Sequence, residues 1–224
     1  MEQLAGVGAA VATPFVIVAA AVLLFLNPIW VGFDQDRSNV AGLTGYTPQQ
    51  VRDVTGSILS DLVFGPPAFD VAVDGQPVLD VRERGHMADV RTVLAVLGGA
   101  ALVSAVLLVG IGVASRGRRW FWRAAAAGAS VLAAGVIVVG LAFAVFFDQA
   151  FGLFHEIFFP PGTYTFDPRT EKLVQLFPDQ FWSETSVALA VAVLILSVGV
   201  AYAGRRLGRE VDLTDAAATP EATP

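Results

Sequence analysis

The chemistry open to this chain centres on two histidines. His86 and His155 are its full complement of imidazoles, and it has no cysteine. A thiolate nucleophile, a disulfide and a cysteine metal ligand are therefore excluded. His86 lies in the stretch Arg82, Glu83, Arg84, Gly85, His86, Met87, Ala88, Asp89, at the threshold of a long apolar run. If that stretch is helical, Glu83, His86 and Asp89 recur every three residues and share a face, where a carboxylate can orient the imidazole and raise its basicity. His155 and Glu156 form a polar pair inside an aromatic run from Phe151 to Phe159. An apolar setting of that kind suits a neutral imidazole acting as proton acceptor. Each histidine also has a plainer reading, as an anchor at a membrane surface hydrogen-bonded to neighbouring charges.

Other residues could join them. Arg37 follows the first apolar run at headgroup depth, where a guanidinium pairs with lipid phosphate or with a carboxylate such as Asp34. The same reach would let it bind an anionic headgroup or polarise an ester carbonyl. A metal site built from the two histidines and Glu83, Asp89 or Glu156 is the rival chemistry. No pair has a dedicated ligand spacing such as H-E-x-x-H, so the reading is no metal and no cofactor. A Ser-His-Asp triad would need Ser38, Ser57, Ser60 or Ser183, none of which sits in a nucleophile-elbow sequence.

The elements that must position these residues are mostly membrane helices. The chain is 55% hydrophobic and 15% charged, with the apolar residues gathered into long runs, the composition of an integral membrane protein. Four runs reach spanning length: residues 1–27, 90–115, 121–147 and 183–204. The first lacks a basic leader and a small-x-small cleavage pattern, so it reads as a retained helix. Arg116, Arg118, Arg119 and Arg123 crowd the short connection at 116–120 and the start of the third run, and Arg205, Arg206 and Arg209 open the tail. By the positive-inside rule both termini face the cytoplasm. Segments 28–89 and 148–182, with both histidines, then lie at the outer face. The formal charge of -6 argues against a nucleic-acid partner.

Segment 28–89 is too long for a bare loop. Thr47 and Pro48 open a helical pattern with Val51, Val54, Ile58, Leu59 and Leu62 on one face. Alternation of Phe69, Val71 and Val73, then Asp74 and Gly75, then Val78, Leu79 and Val81 predicts a two-stranded hairpin, with Pro77 restricting it to an edge. Segment 148–182 reads as an aromatic loop, either an interfacial belt or an acyl-chain groove. Residues 205–224 read as a disordered cytoplasmic tail. Gly98, Gly99, Gly110, Gly128, Gly135 and Gly140 would permit close helix packing, within one chain or between chains; oligomeric state is left open, a monomer being sufficient. The fold class expected is thus an all-α membrane protein, four transmembrane helices carrying a small extracytoplasmic arm of helix plus β-hairpin.

Four pieces in this order resemble one family. They are Leu26, Asn27, Pro28, Ile29, Trp30 and Val31 ending the first span; Arg82, Glu83, His86, Met87, Asp89 and Val90 entering the second; Phe154, His155, Ile157, Phe158 and Phe159 after the third; and Leu176, Phe177, Pro178, Phe181 and Trp182 before the fourth. Together, over about residues 1–205, they resemble the bacterial lipoprotein intramolecular transacylases. The resemblance implies a metal-independent acyltransferase of the bacterial cell membrane whose partners are a diacylglyceryl lipoprotein and membrane lipid. The sn-2 acyl chain would move to the amine of the lipid-bearing N-terminal cysteine, leaving a lyso-lipoprotein. The two essential histidines of that family fall on His86 and His155. Either can serve as base or nucleophile; the favoured assignment gives that role to His155, with His86 as its partner oriented by Glu83 or Asp89 and Arg37 or the second histidine at the oxyanion, and the two roles are exchangeable. Arg37, Glu83, Asp89 and Glu156 are the expected substrate-side residues. Two other readings stay open from the residues alone: a membrane module whose outer arm binds a partner, and a histidine-dependent lipid hydrolase or acyltransferase with another substrate.

Overall fold

The computed structural model describes residues 1–66 and 68–217. In chain order the elements are α1 (Glu2–Phe25), α2 (Pro28–Arg37), α3 (Val40–Thr44), α4 (Pro48–Val63), β1 (Ala72–Val73), β2 (Gln76–Pro77), α5 (Val81–Ala114), α6 (Arg119–Val145), α7 (Phe147–Phe158), α8 (Lys172–Leu176) and α9 (Asp179–Ala217). Four helices are long and apolar enough to cross a bilayer: Glu2–Phe25, Val81–Ala114, Arg119–Phe143 and Asp179–Val211. The protein is a multi-pass membrane protein. At about 1.5 Å per residue, α5 exceeds the roughly 30 Å hydrocarbon core of a bilayer, so its charged first turns, from Arg82 to Arg91, extend past the apolar layer.

The chain divides into two compact units. One comprises residues 1–21, 97–139 and those from 190 onward, and is held by close approach of helix backbones. Ala9, Ala12, Ala125, Ala126, Ala129 and Ala201 are buried in it, while Val103, Val109 and Val138 lie exposed on the surface that lipid would cover. A Cβ on Gly128 would come within 2.1 Å of the Ala10 carbonyl oxygen, and one on Gly204 within 2.7 Å of the Trp122 carbonyl oxygen. Of the glycines expected to pack closely, Gly128 does so; Gly98, Gly99, Gly110 and Gly135 have nothing within 4 Å. The turn between α5 and α6 places Arg116 and Gly117 at positive φ, 53° and 65°, and Gly117 N–H donates to the Gly112 carbonyl at 2.9 Å to close the helix end.

The other unit, residues 22–96 and 140–189, holds both histidines. Its core is the face of α4 expected from the sequence: Val51, Val54, Ile58, Leu59 and Leu62 are all buried, and Thr47 forms a full capping box with Gln50. Each such aliphatic side chain contributes about 1.5–3 kcal/mol when removed from water. Asn27 caps α2, accepting from Ile29 N–H at 2.9 Å and Trp30 N–H at 3.0 Å. Gln35 is buried on α2 and ties three helices together. Its amide donates to the Leu176 carbonyl at 2.9 Å, and its oxygen accepts from the Thr55 hydroxyl at 3.0 Å. Arg91 donates to the carbonyls of Asp61 and Gly65, fastening the end of α4 to α5.

Three expectations need correction. The hairpin has two residues per strand, paired Ala72 to Pro77 and Val73 to Gln76. Phe69 sits at φ 47°, outside the extended region, and Val81 is already the first residue of α5, so neither can belong to a strand. Segment 148–182 is not a loop: α7 and α8 occupy much of it, because Phe151, Phe154, His155 and Phe158 recur at helical spacing. Residues 205–217 continue α9 rather than forming a disordered tail. Leucine and alanine there are strong helix formers and Arg206 pairs with Glu210 one turn on, at 3.1 Å. The rest of that expected tail, 218–224, lies outside the described residues.

The glycine contacts give a test by thermal unfolding of the purified protein in detergent. Gly128→Ala forces α1 and α6 apart and should cost about 1–3 kcal/mol, whereas Gly135→Ala, into open space, should cost nothing. Equal midpoints for the two variants would remove close backbone approach as the basis of this unit.

Candidate active site

His86 lies on the second turn of α5, and the first turn explains its rigidity. The Asp80 carboxylate accepts from Glu83 N–H at 2.8 Å, while Glu83 Oε2 accepts from Asp80 N–H at 2.6 Å, a reciprocal cap of the helix start. The other oxygen, Glu83 Oε1, accepts from the Leu173 N–H of α8 at 2.7 Å. Glu83 is 2% exposed, and both its oxygens are taken by backbone donors. It therefore holds the turn that carries His86 and does not orient the ring directly. His86 is 7% exposed, and its Nδ1 is buried with no hydrogen-bond partner.

His155 lies on α7 and is half-buried. Its Nδ1 is 2.8 Å from the Phe151 carbonyl, one turn earlier on the same helix. A carbonyl oxygen only accepts, so Nδ1 carries the hydrogen and, in the neutral ring, Nε2 carries the lone pair. The two imidazoles are 5.9 Å apart between ring centroids and inclined by 25°, close enough for one small electrophilic centre to meet both. Phe159 touches both rings, at 4.8 Å from His86 and 5.3 Å from His155. Phe166 lies 5.6 Å from His86, and Phe151 and Tyr164 lie 4.4 Å and 5.3 Å from His155. The result is a polar pair inside an aromatic enclosure.

The structure brings together the two expected histidines, and none of the other four candidates hydrogen-bonds to either ring among the described residues. Asp89, one turn beyond His86, is half-buried and makes no hydrogen bond to the ring among the described residues. Glu156 is exposed, as expected for a neighbour one residue along a helix, which points away from His155. Arg37 pairs with Glu184 through two contacts, 2.8 Å and 3.3 Å, and lies over the Phe33 ring at 5.8 Å. Beside it, buried Asp34 accepts from the Thr185 hydroxyl at 2.7 Å, and burial raises its carboxyl above the usual range. Arg37 thus clasps α2 to α9. The aromatic wall is what residue-type reasoning did not assign. Its signal was present, since Phe151, His155 and Phe159 fall at intervals of four on one helical stripe.

A paired-imidazole site without a thiol, in a chain with four helices long and apolar enough to cross a bilayer, defines a membrane-integral protein with two adjacent proton-transfer groups. The family model of the lipoprotein intramolecular transacylase Lit matches residues 7–182, and the chain belongs to that transacylase family. Comparison with curated protein sequences finds no match. Among solved structures, the fold is similar to the membrane-integral lipoprotein intramolecular transacylase Lit from Bacillus cereus, with a TM-score of 0.81 and 20% identity over 95% of this chain and 98% of that one. A histidine-to-arginine variant of the same Bacillus cereus protein matches with a TM-score of 0.78 and 19% identity, over 96% of this chain and 95% of that one.

The reading of Glu83 as a structural acid can be checked by unfolding midpoint. Glu83→Ala strips the acceptor from two backbone N–H groups and should destabilise the protein by about 1–3 kcal/mol for each group left unpaired. Glu83→Gln keeps an amide oxygen for one of them and should fall between. A Glu83→Ala variant as stable as the parent would contradict this assignment.

Proposed function

We propose that the protein moves the sn-2 acyl chain of a diacylglyceryl lipoprotein to the amine of its N-terminal cysteine, with His86 and His155 as the reacting groups. The observation that carries the proposal is the 5.9 Å separation of two imidazoles in one aromatic enclosure. The amine attacks the ester carbonyl, and Nε2 of His155, left free by the Phe151 bond, accepts the amine proton. The oxyanion of the tetrahedral species meets a hydrogen-bond donor from His86, whose Nδ1 lacks any internal partner. Collapse breaks the bond to the glyceryl oxygen, which leaves with the proton from the His155 imidazolium. An amide and a free glyceryl hydroxyl result, with no water consumed.

Positioned general-base catalysis is worth roughly 10²–10⁴-fold, so His155→Ala should lower the rate by about that factor, and His86→Ala, which removes the oxyanion donor, by roughly 10²–10³-fold. The measurement is the N-terminal acylation state of cellular lipoproteins by mass spectrometry, at matched expression. Unchanged N-acylation in either variant would end the proposal.

The same reading sets the site at the outer face, because the seven arginines at 116, 118, 119, 123, 205, 206 and 209 gather at the other ends of the spans. The cysteine-free chain makes this directly testable. A membrane-impermeant thiol reagent should label Thr170→Cys in intact cells and Arg209→Cys only after permeabilisation. The reverse pattern would invert the topology.

A further inference from the structure

Part of the enclosure is made by chain that no helix or strand supports. Between α7 and α8 the backbone closes two isolated turns, Thr163 N–H to the Pro160 carbonyl at 3.2 Å and Glu171 N–H to the Asp167 carbonyl at 2.9 Å. The stretch from Tyr164 to Phe166 lies between them. Among the described residues, its backbone has one hydrogen bond: Nη2 of Arg82 donates to the Thr165 carbonyl at 2.7 Å. The other end of the same guanidinium, Nη1, lies 3.4 Å from Glu171 Oε1, and the group sits over the Phe166 ring at 5.4 Å. Glu171 in turn accepts from Asp167 N–H through its second oxygen. One side chain thus grips the strap at its middle, at its C-terminal turn and on the ring between.

Arg82 is four residues before His86 on α5, and so on the same helix face. The gripped carbonyl belongs to Thr165, whose two neighbours supply the rings on the imidazoles: Tyr164 on His155 at 5.3 Å and Phe166 on His86 at 5.6 Å. We propose that Arg82 is a positioning residue, clamping the 164–166 strap over both histidines so that water is kept from the reacting centre. An ordinary exposed ion pair would not suffice for this, since such pairs contribute little. The planar fork, serving a carbonyl, a carboxylate and a ring face at once, does what a lysine ammonium cannot. The function served is discrimination between nucleophiles. Water can replace the amine in the same attack, giving a free fatty acid and the glyceryl hydroxyl, and exclusion of water prevents that side reaction.

The clamp rests on the transacylase reading for its product arm alone, so two readouts are needed. In full-length protein in lipid nanodiscs, diethyl pyrocarbonate acylates accessible imidazoles, and with two histidines in the chain each is resolved by peptide mass spectrometry. Arg82→Ala should raise the modification rate of His86 and His155 severalfold. It should lower kcat roughly ten- to hundredfold with KM little changed, as displaced but intact catalytic groups do. The ratio of released fatty acid to N-acylated product should rise. Arg82→Lys should fall between Arg82→Ala and the parent in all three. If Arg82→Ala is folded and leaves modification rates and product ratio at parental values, the clamp is overturned. Should Arg82→Ala fail to fold, Glu171→Gln and Phe166→Leu each remove one of its contacts and are judged by the same criteria. If the parent itself forms no N-acylated product, the transacylase reading fails while the modification rates still decide the clamp.

Discussion

A carboxylate removed from water must find donors to replace it, and the unit that holds both histidines is organised around one that does. Glu83 accepts from the backbone of its own helix start and from the backbone of α8. An acid satisfied in this way joins two parts of the chain ninety residues apart and fixes the first turn of α5. His86 is on the next turn. The turn that carries that imidazole therefore depends on a residue with no hydrogen bond to the ring among the described residues, and α8 is registered against the start of α5 by the same carboxylate.

Around the histidine pair the protein uses rings in place of polar partners. Phe159 is shared by both imidazoles, and Phe151, Tyr164 and Phe166 complete the wall. In such surroundings an electrostatic contact made to an imidazole is stronger than in water. The cost is a buried, unsatisfied Nδ1 on His86. Both oxygens of the Glu83 carboxylate are taken by backbone donors, so it forms no charge-relay bond to the ring of His86.

Much of this was legible in the chain itself. The four spans follow from length and apolarity, the α4 helix from its threonine cap and its stripe of Val51, Val54, Ile58, Leu59 and Leu62, and the histidines from their rarity. What residue types could not convey was partnership. Glu83 and His86 lie three residues apart, a spacing that permits contact, but the acid had a stronger claim from unpaired backbone donors at the helix start and at Leu173. Arg37 likewise had a carboxylate available in Glu184, 147 positions away, which local sequence could not disclose. The aromatic segment after the third span was misjudged as a loop because its composition spoke for an interface; its period of four spoke for a helix. The strands are shorter than the alternation suggests because Phe69 takes a positive φ at one end and Val81 already begins α5 at the other.

The bond from His155 to the Phe151 carbonyl lies wholly within α7. An imidazole anchored to its own helix keeps its tautomer when that helix shifts, since donor and acceptor travel together. The bond needs no other element to hold it, so the hydrogen on His155 Nδ1 does not depend on contacts made by neighbouring helices.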